Sequence, residues 1–223
     1  SDQAVFDSER LVETHAHAVS RSFFIENPGF VSGGSVLWVS NLLNIDQGEV
    51  LARADRSPAG ARGLVFIPAL SGSMAPRWND RARGSFSGVT MEHDSDHWCR
   101  AVLEGCVFAM RDVVDRIEKM GLAVDECRVT GGGARSPVWL QMKADVTGRA
   151  VRAVEGEGSA LGAACLAAVA AGWFPDLPSA TDDLVIVDGA VFEPQTSNAE
   201  AYSGAYSKYR AVFDALEPLW GRA

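Results

Sequence analysis

The chain has 223 residues, 47% hydrophobic and 22% charged, an ordinary globular mix long enough to bury a core without disulfide or metal staples. Twenty basic against 29 acidic residues leave a net charge of −9, which repels phosphate backbones and anionic lipid and argues against a nucleic-acid or membrane partner. A pocket lined by backbone N–H groups can still hold an anionic small molecule.

The first ten residues are polar and carry Asp2, Asp7 and Glu9, so they do not form a signal peptide. Thr14 to Ser22 holds two histidines and small residues, and Phe23-Phe24-Ile25 follows as a short strand. Asn27-Pro28-Gly29 is a turn signal. Ser32-Gly33-Gly34-Ser35 then leads into the apolar run Val36 to Leu43, a short helix with Ser35 as N-cap. Gly63 to Leu70 is a buried strand stopped by Pro68, and Ser71 to Ser87 is loop-like. Ser95 or Asp96 caps a long helix with apolar residues at Trp98, Val102, Cys106, Ala109, Val113 and Ile117. A second set, Leu103, Val107, Met110 and Val114, widens that stripe, and Lys119 and Gly121 end the helix.

A strand over Cys127 to Thr130 runs into Gly131-Gly132-Gly133-Ala134-Arg135 and then Ser136-Pro137, where Ser as N-cap with Pro at the first helical position opens a helix. That helix reaches Thr147 and stops at Gly148. Ala150 to Val154 is a strand, and Gly156 to Ser159 a glycine-rich turn. The uncharged stretch Ala160 to Phe174 is 15 residues, too short to span a bilayer, and reads as a tightly packed buried helix. A last helix, Ala199 to Leu219, carries an aromatic stripe at Tyr202, Tyr206, Tyr209 and Phe213. The order β-α-β-α argues an α/β fold with a parallel sheet. Cys99, Cys106, Cys127 and Cys165 form no C-x-x-C pair and read as buried free thiols of a soluble cytoplasmic protein.

The strongest local signal is Val129 to Gln141 (VTGGGARSPVWLQ), a strand, three glycines and a helix start. Glycines admit close approach to the backbone, and the helix start presents unpaired N–H groups and a positive dipole end, so the residues alone place a phosphate at Gly131–Ser136. A tight turn needing positive φ is the plain alternative. A dinucleotide fingerprint is another: Gly131-x-Gly133-x-x-Ser136 departs from it at the third glycine, with Glu155 after the next strand. His93, Asp94, Asp96 and His97 read as a solvated helix start rather than metal ligands, as do His15 and His17 as ordinary surface residues. Gly84-Ser85-Phe86-Ser87-Gly88 has Phe where a nucleophile elbow needs Ser, and no Walker A sequence occurs.

Taken in order, several blocks resemble the C-terminal half of the FGGY family of carbohydrate kinases, and most of all its xylulose-kinase-type members. They are Phe30 to Trp38, Pro68 to Gly72, Ala75 to Asn79, Ala82 to Gly88, His97 to Gly105, Val129 to Gln141 with Ala144-Asp145, and Ser159 to Ala164. Gly84 to Glu104 resembles the family's C-terminal signature, with Trp98 where an aliphatic residue or Phe is usual.

The resemblance implies a ribonuclease-H-like (actin/hexokinase-type) domain over residues 1–223, the nucleotide-binding half of a two-domain kinase that moves the γ-phosphoryl of ATP to a sugar hydroxyl with Mg²⁺. By matching positions, Gly33, Gly132 and Ser136 contact adenosine while Gly131 and Gly133 shape the loop, which moves the adenosine end of the ligand to the place where the residues alone suggest phosphate. Leu37 takes a position that is polar in glycerol-kinase-type members. The family's catalytic Asp, its Gly-Thr phosphate loop and the first hairpin of this domain are expected upstream of Phe6 and Asp7, as is the sugar-binding domain that holds most of the metal. The chain alone is therefore expected to be inactive, with no catalytic or metal residue of its own. Its implied partners are ATP or ADP and, through the other domain, a sugar, with a homodimer left open. A stand-alone, non-catalytic actin-like interaction module is the alternative of a different class.

Overall fold

A computed structural model describes residues 1–27, 32–74 and 76–221. Pro28 and Gly29 of the expected turn, and Phe30, Val31 and Ala75 of the family-like blocks, lie outside the described residues.

The chain opens with a hairpin, β1 (Glu13–Ala16) antiparallel to β2 (Phe23–Glu26). The sequence reading has only the second strand, because β1 is a polar stretch with little strand pattern. The segment before it is tied down by charge. Asp7 accepts from the backbone N–H groups of Glu9 and Leu11 and from the Arg116 guanidinium, which also donates to Glu9 at 2.7 Å. Arg116 holds the Asp7 carboxyl far below the usual carboxylate range.

The main core is built around α3 (Ser95–Lys119), packed by α1 (Gly33–Leu43), α2 (Gln47–Arg56), the short strands β3 (Val65–Ile67) and β4 (Ser85–Ser87), and α7 (Thr196–Trp220). Two capping expectations shift. Ser32, not Ser35, stands at the start of α1, where Ser35 is already inside the helix and fully buried. Asp94, not Ser95 or Asp96, caps α3: its side chain accepts from the N–H groups of Asp96 and His97, and the His97 ring closes a capping box. The unforeseen α2 is capped by Asp46, which accepts from Glu49 N at 2.8 Å. The strand expected over Gly63 to Leu70 shrinks to β3, and the loop expected over Ser71 to Ser87 ends in its antiparallel partner β4.

Glycine makes the closest approach in this core possible. Gly105 on α3 lies against β3, where an added Cβ would stand 2.4 Å from the Phe66 carbonyl oxygen. Aromatic rings fill the neighbouring space: Trp38 stacks on Phe66 at 5.8 Å, Phe66 meets Phe86 at 4.7 Å, and Phe86 meets Trp98 at 4.4 Å. The bulk of Trp98, unusual for the resembled signature, is thus taken up by Phe86. A buried polar knot ties α3 to α7: Glu104 accepts from Arg100 Nε and Gly60 N, both at 2.8 Å, and Arg100 donates to the Tyr202 hydroxyl. The stripe Tyr202, Tyr206, Tyr209 and Phe213 is buried as its periodicity requires.

A second layer holds the strongest sequence signal. β5 (Glu126–Val129) pairs parallel with β6 (Ala150–Val154), and β6 pairs antiparallel with β7 (Val187–Phe192). Among the described residues, parallel pairing of strands is thus confined to β5 and β6, and the expected parallel sheet gives way to three small sheets. α4 (Pro137–Thr147) lies between the layers. Trp139, Met142 and Val146 face the main core, and Leu140 and Ala144 face the sheet. Ser136 caps α4 and Gly148 ends it in the left-handed conformation, both as the sequence reading has them.

The helix expected to be tightly buried is not. In α5 (Gly158–Ala170) only Cys165 and Ala168 are buried, and it packs on α6 (Leu177–Leu184). Leu166 is 48% and Trp173 79% exposed. Alanine on every side of a helix carries no signal for which side is covered. All four cysteines are free and buried. Among the described residues, no helix is long and apolar enough to cross a membrane.

Candidate nucleotide site

Two glycine-bearing helix starts converge on one cavity of about 290 Å³. The first is Ser32–Gly33 at the start of α1, where the Ser32 side chain makes no cap bond and its carbonyl accepts from Ser35 N at 3.0 Å. The second is the loop after β5. Gly131 adopts φ +71°, which breaks the strand direction, and Gly132 to Arg135 form a single 3₁₀ turn before α4. Gly33, Gly132 and Gly133 line the cavity together with Thr130 from the end of β5 and Trp139 and Lys143 from α4.

Of the five site residues expected from sequence, the structure brings Gly33, Gly132 and Gly133 to this cavity. Gly131 lies on the other side of the loop, where a second cavity of about 440 Å³ runs along Ala153 to Gly156 and Phe192. Ser136 is 5% exposed, and its Oγ accepts from Trp139 N at 3.2 Å. Its hydroxyl therefore serves the helix cap, and a substitution there would report on the fold as much as on a ligand. Gly33 and Gly132 differ in just this respect: an added Cβ at either meets no atom within 4 Å. Both backbones face open space. Leu37, one turn into α1, is half-exposed.

Sequence reasoning missed Lys143 and Trp139. The Lys143 ammonium is buried and has no hydrogen-bond partner among the described residues, and it lies over the face of Trp139, 3.9 Å from the ring centroid. Burial pushes its pKa down to about 7. Trp139 Nε1 is a second buried donor without a partner. A signal was present. Lys143 stands in the mostly apolar run PVWLQMKADVT, with Trp139, Leu140, Val146 and Thr147 at the helical spacings where an acidic partner would sit.

The His93–His97 cluster is consistent with the sequence reading of a helix start. Asp94 caps α3, the His97 ring serves the capping box, and the His93 Nδ1 accepts from Thr90 N at 2.9 Å.

Residues 2–171 match the C-terminal domain of the FGGY family of carbohydrate kinases. The chain is 32% identical over 206 residues to xylulose kinase of Staphylococcus epidermidis, covering 91% of this chain and 41% of that protein. It is 36% identical over 200 residues to glycerol kinase of Rhodopirellula baltica, covering 87% of this chain and 36% of that one. The crystal structure of xylulose kinase from Rhodospirillum rubrum matches all of this chain and 45% of its own, with a TM-score of 0.84 at 29% identity. The chain thus spans about two fifths of the length of the curated relatives it matches. The shared fold is the ribonuclease-H-like fold of the actin and hexokinase type, which leaves no place for the dinucleotide-binding alternative at Gly131–Ser136. With its motifs, its fold and these likenesses in agreement, the chain belongs to the FGGY family of carbohydrate kinases, as a C-terminal domain.

Proposed function

We propose that this chain, residues 1–223, is the nucleotide-binding half of an ATP-dependent kinase that phosphorylates a hydroxyl of xylulose or a related sugar. The adenosine end of ATP lies against Gly33, Gly132 and Ser136, with Gly131 and Gly133 shaping the loop. The observation that supports this best is the shared cavity, bordered by two glycines whose Cβ positions open onto empty space. Such a site is what a flat purine nucleoside needs: backbone it can approach closely and few side chains in the way.

Phosphoryl transfer is catalysed mainly by positioning and by neutralising charge on the transferred group. In this reading the present residues bind and orient the nucleotide. The carboxylate that accepts the sugar's proton comes from the sugar-binding half. Mg²⁺ would neutralise charge on the phosphates. In this reading Mg²⁺ is held by the phosphates of ATP and by that other half. The four free thiols fit a reducing compartment, and the cytoplasm is the proposed place of work.

The test is Gly33→Val in the intact protein. ADP affinity should fall at least tenfold while the melting temperature without ligand stays close to wild type. Unchanged ADP affinity would remove the site from this cavity. A second reading, a non-catalytic actin-like interaction module, draws on the exposed Leu166 and Trp173 beside α5. Sugar-dependent consumption of ATP by the intact protein would set it aside.

A further inference from the structure

The cavity between α1 and the triple-glycine loop has a group at its base that the proposed adenosine contacts do not use. Lys143 is 7% exposed, and its Nζ has no hydrogen-bond partner among the described residues. The amine lies beneath the loop, where an added Cβ on Gly133 would stand 3.6 Å from it. A buried ammonium with three unused donors is costly to keep unless something pairs with it. Among the described residues the surroundings supply nothing anionic. From α3 the titratable group is the Cys106 thiol, which burial pushes up to about 11, so it is neutral. From α2 the cavity receives Gln47 and Leu51, from the start of α1 Ser32, Gly33 and Val36, and from the loop Thr130, Gly132 and Gly133, none of them charged. The start of α1 adds the positive end of an 11-residue helix whose cap residue makes no side-chain bond. An ammonium and an open helix start on one small cavity are the chemistry of an anion site.

We infer that Lys143 is a nucleotide-contacting residue, its ammonium pairing with an anionic phosphoryl oxygen of the ligand held between Gly33 and the triple glycine. This rests on the nucleotide reading above and adds to it the residue that recognises the phosphoryl end. The pairing also takes up a proton. In the empty site burial keeps the amine's pKa near 7, so at pH 8 most molecules carry it neutral. An anion beside it restores the charged form, and binding at pH 8 draws nearly one proton from solution.

The experiment is titration calorimetry of the intact protein with ADP and with adenosine, at pH 8 in two buffers of different ionisation enthalpy. It is run on wild type, Lys143→Met and Gly33→Val. Lys143→Met should weaken ADP about 10- to 100-fold, as loss of a charge-assisted hydrogen bond does, leave adenosine within about twofold, and abolish the proton uptake. The difference between wild type and variant cancels any titration of the nucleotide's own phosphate. Met has nearly the volume of Lys and removes a buried charge, so the variant should fold, and its melting curve shows whether it does. Equal ADP affinity and equal proton uptake in wild type and Lys143→Met would overturn the inference while leaving the site intact. A loss shared equally by adenosine and ADP would overturn the phosphoryl assignment. If Gly33→Val leaves ADP binding unchanged, the nucleotide reading itself fails and this inference goes with it.

Discussion

Replacing Gly132 by alanine should move stability and ligand affinity in opposite directions. Gly132 has an ordinary φ, and an added Cβ meets no atom within 4 Å, so the folded chain accepts the methyl without strain. The unfolded chain loses freedom, which stabilises the fold by about 0.4–1 kcal/mol. For a domain of this size that is a rise of about 1–4 °C in melting temperature. The same methyl projects into the cavity proposed to hold the nucleotide. Overpacking a close contact costs about 1–3 kcal/mol, so ADP should bind about 5- to 150-fold more weakly. Differential scanning fluorimetry without ligand and calorimetry with ADP read the two effects separately. Gly121→Ala is the matched control: its Cβ position is also open, but φ is +83°, far from the cavity at the end of α3. It should cost about 1–2 kcal/mol of stability and leave ADP binding unchanged. A raised melting temperature with unchanged ADP affinity in Gly132→Ala would mean that no ligand approaches this backbone. A lowered melting temperature would mean that the local conformation itself is misread.

Two further outcomes test the packing around the site. Gly105→Ala forces a methyl to within 2.4 Å of the Phe66 carbonyl and must push α3 off β3, so it should lose about 1–3 kcal/mol in urea unfolding; wild-type stability would refute the close approach. Lys143 gives a pH signature. Its folded pKa of about 7 lies below the ordinary lysine value of 10.5, so the unfolded chain holds more protons between those values and the group's destabilisation eases as pH rises through that window. Lys143→Met should therefore be more stable than wild type at pH 6, with the gap narrowing by about 2–3 kcal/mol by pH 9; a gap independent of pH would show that the amine is not buried as charge.

Legibility of the sequence varied with the range of the interactions involved. Ser136-Pro137 and Gly148 marked both ends of α4 because caps act over three or four residues. The stripe of α7 announced its buried side because that helix has one wet side and one dry side, whereas α3, with its wider stripe, is buried all round from Cys99 to Phe108. β1, β4 and β7 were invisible, since each owes its existence to a partner strand rather than to its own residue pattern. The glycines at 33 and 131–133 were the expected site residues, but only folding put the start of α1 opposite the loop after β5.

What the amino-acid sequence determined alone was the family and the position of its backbone-exposing glycines, because both are carried by residue type and spacing along the chain. The tertiary structure decided two things that spacing does not encode. It left the alanine-rich α5 uncovered, and it buried the Lys143 amine beneath Gly133 with no hydrogen-bond partner among the described residues. The physical reason is the same in each case: burial and pairing are properties of what packs against a residue, and those neighbours arrive from distant parts of the chain.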